Sequence, residues 1–440
     1  NGKVKCWGYG NSGRLGLGNQ TNYGEYGNSM GAGLAFTQLG DGLTVDTVLS
    51  VVKRLSLGSE HSCVAIDSDS IKCFGQGAQG RSGNGNQTDY CINNGSCGNS
   101  LPELSLGAGK SIVQMSSGHE FSCAVIAPDN KIKCWGRNTY GQLGIESTTD
   151  QIVSPSAAAF VNLGTGRTAL QVSTGYYHAC ALLDNNTIKC WGRNNTGQLG
   201  IGSTTSIGDG AGEMGDSLGI ADMGSVSFPT SISSKGYFNC ALFNDGSMKC
   251  WGQNNYGQLG QGNTAQRGDG ANEMADNLIF TNVGTGETIS SVSMSDRHTC
   301  VITSANELKC WGDNTYGQLG IESINRIGNN ASEMGDNLIV ANLGSGRTPT
   351  QVITSIYSTC ALLDNSTVKC WGSDYAGDLG QQMNSYGDQA GETLALLSNI
   401  DLGTGNYAKD IYAGRFHVCA ILMDNTTKCF GNNSQGRLGQ

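Results

Sequence analysis

Short bursts of alternating and continuous apolar character run along this chain. In Ala169-Leu170-Gln171-Val172-Ser173 apolar and polar residues partly alternate, the signature of a β-strand. Two further runs, Cys180-Ala181-Leu182-Leu183 and Thr187-Ile188-Lys189-Cys190-Trp191, flank Asp184-Asn185-Asn186, a turn composition. This pattern predicts a β-hairpin. If Cys180 lies opposite Cys190, then Leu182 falls opposite Ile188 on the same face and Leu183 opposite Thr187. The odd spacing predicts an odd-numbered loop, such as a three-residue turn with a bulge.

The pattern returns along the chain. A Lys-Cys-(Trp/Phe)-Gly core occurs eight times, with its cysteine at Cys6, Cys73, Cys134, Cys190, Cys250, Cys310, Cys370 and Cys429, in steps of 67, 61, 56, 60, 60, 60 and 59 residues. A period of that size means arrayed supersecondary units, each unable to bury its apolar face without a neighbour. Length alone would suggest several domains, but the unbroken repeat predicts one repeat domain over residues 1–440, with residues 1–18 a supernumerary half-repeat and no second domain. The aromatic residue beside each second cysteine (Trp7, Phe74, Trp135, Trp191, Trp251, Trp311, Trp371, Phe430) is read as packing between units rather than as a stacking platform for a ligand.

Seventeen cysteines sharpen this picture. Fourteen form seven local pairs: Cys63/Cys73, Cys123/Cys134, Cys180/Cys190, Cys240/Cys250, Cys300/Cys310, Cys360/Cys370 and Cys419/Cys429. Zinc knuckles have much shorter spacing, and reduced core cysteines have no reason to keep partners, so disulfides are expected. They imply an oxidising, extracellular or cell-surface setting. Directly opposed residues on antiparallel strands are close enough for such bonds. Cys91 and Cys97 are expected to staple a loop of their own, and Cys6 is left unpaired or intermolecular.

Composition excludes more than it identifies. With 67 Gly, 5 Pro and 14% charged residues the chain is turn-rich and foldable. Its net charge is −10 and its 26 basic residues are scattered, which argues against a nucleic-acid partner. No apolar run is long enough to cross a bilayer, so no membrane insertion is expected. Asn1 is neither an initiator methionine nor part of a signal peptide, so the sequence reads as a mature product or part of a longer one.

The repeated Cys-Trp-Gly-x-Asn-x-x-Gly-Gln-Leu-Gly tail, with the hairpin ahead of it, resembles the regulator of chromosome condensation family of β-propellers. The resemblance covers nearly the whole chain and implies an all-β fold: a seven-bladed propeller of four-stranded blades, here with repeats of about 60 residues, cystine-locked hairpins and ends that are open or overlapping. The family's nuclear members do not depend on such cystines and have shorter repeats. The family's eponymous role, nucleotide exchange on a nuclear GTPase with chromatin binding, is disfavoured by the disulfides and by the absence of a basic tail.

Three further features offer groups that could carry chemistry. A loop recurs as Gly208–Asp216, Gly268–Asp276 and Gly328–Asp336, each with Glu-Met-x-Asp. Its carboxylates could hold calcium, but the spacing matches no established calcium loop, and a hydrogen-bonded surface loop is expected. His61, His119, His178, His298 and His417 precede the first cysteine of their hairpins and are read as structural, bonded to neighbouring backbone, rather than as a metal ring. Asn-x-Ser/Thr sequons start at Asn19, Asn86, Asn94, Asn185, Asn194, Asn330, Asn365, Asn425 and Asn432; Asn185, Asn365 and Asn425 fall on hairpin tips, where a glycan meets no obstacle.

No nucleophile elbow or phosphate-cradling loop is present, so neither an enzyme nor a cofactor is expected. The first functional expectation is an extracellular structural or interaction protein, a self-assembling unit of a coat or fibre. The alternative is a secreted module that binds a protein or glycan on a propeller face, which blade-specific exposed aromatics would favour. The ends motivate the first. Cys6 and Cys429 are seven periods apart and would claim one slot in a closed seven-bladed ring, so the Cys6 strand is expected to be completed by another copy, end to end, or by a preceding segment of a longer chain.

Overall fold

The computed structural model describes residues 55–373 and 385–431, apart from residues 60, 68–69, 92–95, 97, 401, 403–404, 414–416 and 424–426. Cys6, the half-repeat 1–18, Cys97, Asn19, Asn94, Asn425 and Asn432 lie outside the described residues.

The chain folds as a succession of small antiparallel sheets, seven among the described residues. One sheet explains the others. Its inner strand is Ala169–Thr174, followed by His178–Leu183, Ile188–Gly192 and a short outer strand Ile220–Ala221, hydrogen-bonded in that order. Cys180 pairs with Cys190 and Leu182 with Ile188, the register expected from the hairpin. The turn is closed by Asn186 N–H to Leu183 C=O (2.9 Å) and Leu183 N–H to Thr187 C=O (2.9 Å), and Asn186 takes the left-handed conformation (φ 60°) that ends a three-residue turn. Six described hairpins carry a disulfide: Cys63–Cys73, Cys123–Cys134, Cys180–Cys190, Cys240–Cys250, Cys300–Cys310 and Cys360–Cys370, each with Cα atoms 4.1 Å apart. The longer Cys123 spacing is absorbed in the turn, so Cys123 still faces Cys134. Cys419 and Cys429 are paired in register at the backbone. Cys91 is buried and disulfide-bonded.

The middle strands are apolar on both faces because each serves two interfaces. Cys180, Leu182, Ile188 and Cys190 pack forward against Ala241, Phe243 and Trp251 of the next sheet. Ala179, Ala181, Leu183 and Trp191 pack backward against Cys123, Val125, Ile132 and Cys134. Equivalent clusters join every consecutive pair of described sheets. The core is thus a series of inter-sheet layers, as a propeller requires, and the disulfides lie inside those layers rather than at the surface.

Trp135, Trp191, Trp251, Trp311 and Trp371 are all fully buried in these layers, so they pack between units and offer no stacking platform. Four of them also donate backwards: Trp191 to Gln142 C=O (3.0 Å), Trp251 to Gln198 C=O (3.2 Å), Trp311 to Gln258 C=O (3.0 Å) and Trp371 to Gln318 C=O (3.1 Å). That explains the last glycine of Gly-Gln-Leu-Gly. A Cβ on Gly144 (φ 65°) would lie 2.8 Å from Trp191 Nε1. The motif asparagine ties the same loop together: Asn194 accepts from Leu199 N–H and donates to the carbonyls of Ser203 and Thr205.

The lysine before each second cysteine has a role that spacing alone did not suggest. Lys189 reaches out of the layer to the carbonyls of Leu163 (3.0 Å) and Gly215 (2.8 Å), and Lys249 to those of Met223 and Ala275 (both 2.8 Å). Burial pulls both amines below the ordinary lysine range. Their cation satisfies carbonyls where the outer loop meets the sheet.

The recurring Glu-Met-x-Asp loop fastens to that point. Glu213 accepts from the N–H groups of Gly208 (2.8 Å) and Gly210 (2.7 Å), Met214 plugs the apolar layer, and Asp216 clamps Thr165 through its N–H (2.8 Å) and Oγ1 (2.6 Å). Glu273, Glu333 and Glu392 repeat the first bond, the last in a fourth copy at Gly387–Glu392 that the sequence pattern did not separate out. The carboxylate nearest a calcium reading is therefore committed to backbone N–H groups.

Candidate interaction face

The register of the strands decides which residues share a face. The bend between inner and second strand (Gly175-Tyr176-Tyr177) and the loop after the third strand (from Arg193) lie at one end of the sheet, where His178 pairs with Gly192. The hairpin turn at Asn185 lies at the other end. Each sheet therefore contributes its bend and its third-strand loop to one face of the propeller and its hairpin tip to the opposite face.

On the first face aromatic and guanidinium groups form a continuous cluster over three sheets. Tyr177 lies 5.3 Å from Tyr140, 5.5 Å from His119, and 6.4 Å from both Tyr176 and Tyr237, between ring centroids, and Tyr176 meets Tyr237 edge-on at 5.3 Å. The Arg193 guanidinium sits among them, 4.9 Å from the Tyr140 centroid, 5.1 Å from Tyr237 and 5.9 Å from Tyr177. All these residues are half-buried. Tyr176 Oη donates to Asp296, two sheets onward. Backbone bonds tie the bends together beneath: His119 N–H to Tyr176 C=O (3.3 Å) and Tyr176 N–H to Gly236 C=O (2.8 Å). A second group continues the face, with Arg297 5.1 Å from Tyr256 and 5.4 Å from Tyr357.

Charge on this face is mostly internally balanced. Glu120 takes Arg81 (2.9 Å) and Arg137, and the buried Asp313 takes Arg326 (3.4 Å) and Arg297 (3.7 Å). The His119 ring beside Glu120, then Arg137 and Arg81, hold the Glu120 carboxyl down to about 2. Burial raises the phenols of Tyr177 and Tyr237, which stay neutral donors.

Repeat register hid this cluster from the sequence reading. The tyrosines occupy variable positions of a repeated frame, so they look periodic; their chemistry differs unit by unit, from His119-Glu120 through Tyr176-Tyr177 to Asp296-Arg297. The adjacent Tyr176-Tyr177 pair was the available signal.

Three of the histidines are placed differently from the expectation. They reach forward to a side chain of the next sheet rather than to neighbouring backbone: His61 Nε2 to Ser122 Oγ (2.8 Å), His178 Nε2 to Asn239 Oδ1 (2.8 Å) and His298 Nε2 to Thr359 Oγ1 (2.9 Å). Asn239 and Thr359 then donate back to the carbonyls of Gln198 and Gln318, which closes a polar relay across each joint.

The sequons divide sharply. Asn185 and Asn365 are exposed on hairpin tips, where each side-chain oxygen accepts from the sequon threonine hydroxyl (2.7 and 2.8 Å). Asn330 is exposed but donates to Glu333 (2.8 Å), and Asn86 is half-buried and donates to Tyr90 Oη (2.9 Å). Asn194 is a correction: it is fully buried, and both amide hydrogens go to backbone carbonyls, which leaves no room for a glycan. In protein secreted by eukaryotic cells, peptide mass spectrometry is expected to find carbohydrate at Asn185 and Asn365 and none at Asn194. Bare asparagine at both tips would reject the assignment.

Comparison with known proteins agrees with the fold. The model of the regulator of chromosome condensation (RCC1) repeat matches residues 112–142, 170–198, 230–258 and 289–318, and a second model of the same repeat matches 130–182. The ultraviolet-B receptor UVR8 of Arabidopsis thaliana is 27% identical over 395 residues, 88% of this chain and 78% of that protein. The probable E3 ubiquitin-protein ligase HERC6 of Homo sapiens is 27% identical over 60% of this chain, which spans only 23% of that protein. Among solved structures, yeast RCC1 (Prp20) bound to Kap60 superposes with a TM-score of 0.67 at 14% identity over 98% of this chain and 89% of that one. Human WBSCR16 gives 0.63 at 17% identity over 93% and 96%. The chain is a repeat β-propeller of the regulator of chromosome condensation kind.

Proposed function

We propose that this propeller is an extracellular, non-catalytic interaction module that holds a protein partner on its tyrosine–arginine face. The observation that carries the reading is the continuous ring cluster around Arg193, drawn from three adjacent sheets. Tyrosine and arginine are enriched in binding hot spots, and tyrosine brings large contact area at low entropic cost. The cystines within the inter-sheet layers support an oxidising setting. Glycans on the hairpin tips would sit on the opposite face and leave this one clear.

Self-assembly into a coat or fibre is the second reading. The outer rim favours it, since Phe160, Ile220, Ile279, Val340 and Leu396 stand exposed on successive units. An array of extracellular proteins, probed with the intact chain, separates the two. A saturable binder is expected whose affinity falls about tenfold or more in Tyr177→Ala, with Ile279→Glu unchanged. Ordered polymers abolished by Ile279→Glu, with no binder sensitive to Tyr177, would reverse the order of the readings.

A further inference from the structure

We infer that Arg193 is the anchor for a single carboxylate, so that the partner of this face presents an acidic side chain among apolar ones. The inference rests on the interaction-face reading and names the chemistry of its occupant. Its ground is a difference among the arginines of the face. Arg81 and Arg137 share Glu120, and Arg297 and Arg326 share Asp313. Among the described residues no carboxylate pairs with Arg193; its polar side-chain contact is Nη1 donating to Tyr237 Oη at 3.3 Å. A guanidinium has five N–H donors in a planar fork that matches a carboxylate bidentately. Here the fork is held by three tyrosine rings, so little side-chain freedom remains to be lost on binding.

The surroundings choose between kinds of anion. A sulfated glycan or other polyanion needs a run of unpaired cations, but Arg81, Arg137, Arg297 and Arg326 are paired, and Glu120 and Asp296 lie beside the same tyrosine rings. Those carboxylates repel a second and third negative charge. One acid, flanked by side chains that lie against the Tyr140, Tyr177 and Tyr237 rings, satisfies the free fork without meeting them. An acidic peptide segment has that composition.

The test uses the full disulfide-bonded chain and a displayed library of random twelve-residue peptides. Selected peptides are expected to carry Asp or Glu at one fixed position. Their affinity, read by fluorescence anisotropy, is expected to fall about tenfold or more both on replacing that residue with Asn or Gln and in Arg193→Met, while Arg193→Lys recovers only part. Unchanged unfolding midpoints for the variants exclude loss of fold. Peptides that need Tyr177 but carry no acid and ignore Arg193→Met would overturn the carboxylate anchor and leave the interaction face standing. Failure of any peptide to depend on Tyr177 would remove both. Heparin that binds with dependence on Arg193, or self-association of the chain lost in Arg193→Met, would assign the face to a sulfated glycan or to a second copy and overturn the proposal.

Discussion

Trp251→Ala is expected to destabilise the propeller by about 3–5 kcal/mol, the range for removing a large aromatic side chain from a packed core. Trp251 is fully buried between its own sheet and the preceding one, against the Cys180–Cys190 hairpin, Leu182 and Ile188. No other side chain fills that volume, because Gly200 closes over the ring so tightly that its Cβ would lie 2.9 Å from Nε1. Trp251→Phe separates packing from hydrogen bonding. It keeps most of the ring and loses the bond to Gln198 C=O, but that carbonyl still accepts from Asn239 Nδ2 at 2.7 Å. The loss should then be about 1–2 kcal/mol, mostly from the part of the indole volume that Phe leaves empty. Urea unfolding of both variants, with hydrogen exchange of strands Ile188–Gly192 and Phe238–Phe243, measures the effect where it arises. Equal losses for Ala and Phe would show that the hydrogen bond, and not the ring, holds the joint.

The hairpins, their register and the cystines were legible because they depend on residues close in sequence: Cys180 and Cys190 need only a turn between them to meet. The packing role of the tryptophans was also legible, since every unit repeats it. What escaped involves contacts between residues 26 to 61 positions apart. Lys189 meets Gly215, Trp191 meets Gln142 and His178 meets Asn239 across joints whose geometry no local spacing encodes. Asn194 shows the same limit. Its sequon is a three-residue pattern, whereas it is buried and bonded within the loop that runs on through Ser203 and Thr205. The tyrosine–arginine cluster was hidden most deeply, for it joins positions from three units that are adjacent only once the sheets stand side by side.

These joints also explain how a repeated chain can carry a localised site. The glycines, tryptophans, lysines and cystines that hold neighbouring sheets together are nearly invariant along the chain, so the bends between inner and second strands are placed at similar positions whatever they contain. The bend residues are then free to vary. His119-Glu120, Tyr176-Tyr177, Gly236-Tyr237 and Asp296-Arg297 occupy successive copies of one place, and their differences compose the face. A propeller built this way can change its partner by substitutions at bends alone, without disturbing an inter-sheet layer.

The same joints should make the protein acid-sensitive above the pH at which carboxylates titrate. His178 and His298 are completely enclosed, and burial pushes each from 6.5 to about 4 despite the opposing pull of Asn239 on the first and of Asp313 on the second. In the folded protein both rings stay neutral near pH 5, whereas in the unfolded chain both take up a proton below about 6.5. The unfolded state then binds more protons, so stability is fully present above that value and is lost as pH falls toward 4. At pH 5 the loss is about 2 kcal/mol for each ring, about 4 kcal/mol together, from about 1.4 kcal/mol for each pH unit below the unfolded pKa. Glutamine in place of either histidine can still donate to Asn239 Oδ1 or Thr359 Oγ1, the acceptors 2.8 and 2.9 Å from the present Nε2 atoms, but it does not titrate. The pair His178→Gln and His298→Gln should therefore flatten the difference in unfolding free energy between pH 7 and pH 5 at constant ionic strength. A difference of the same size in the double variant would place the acid sensitivity elsewhere in the molecule.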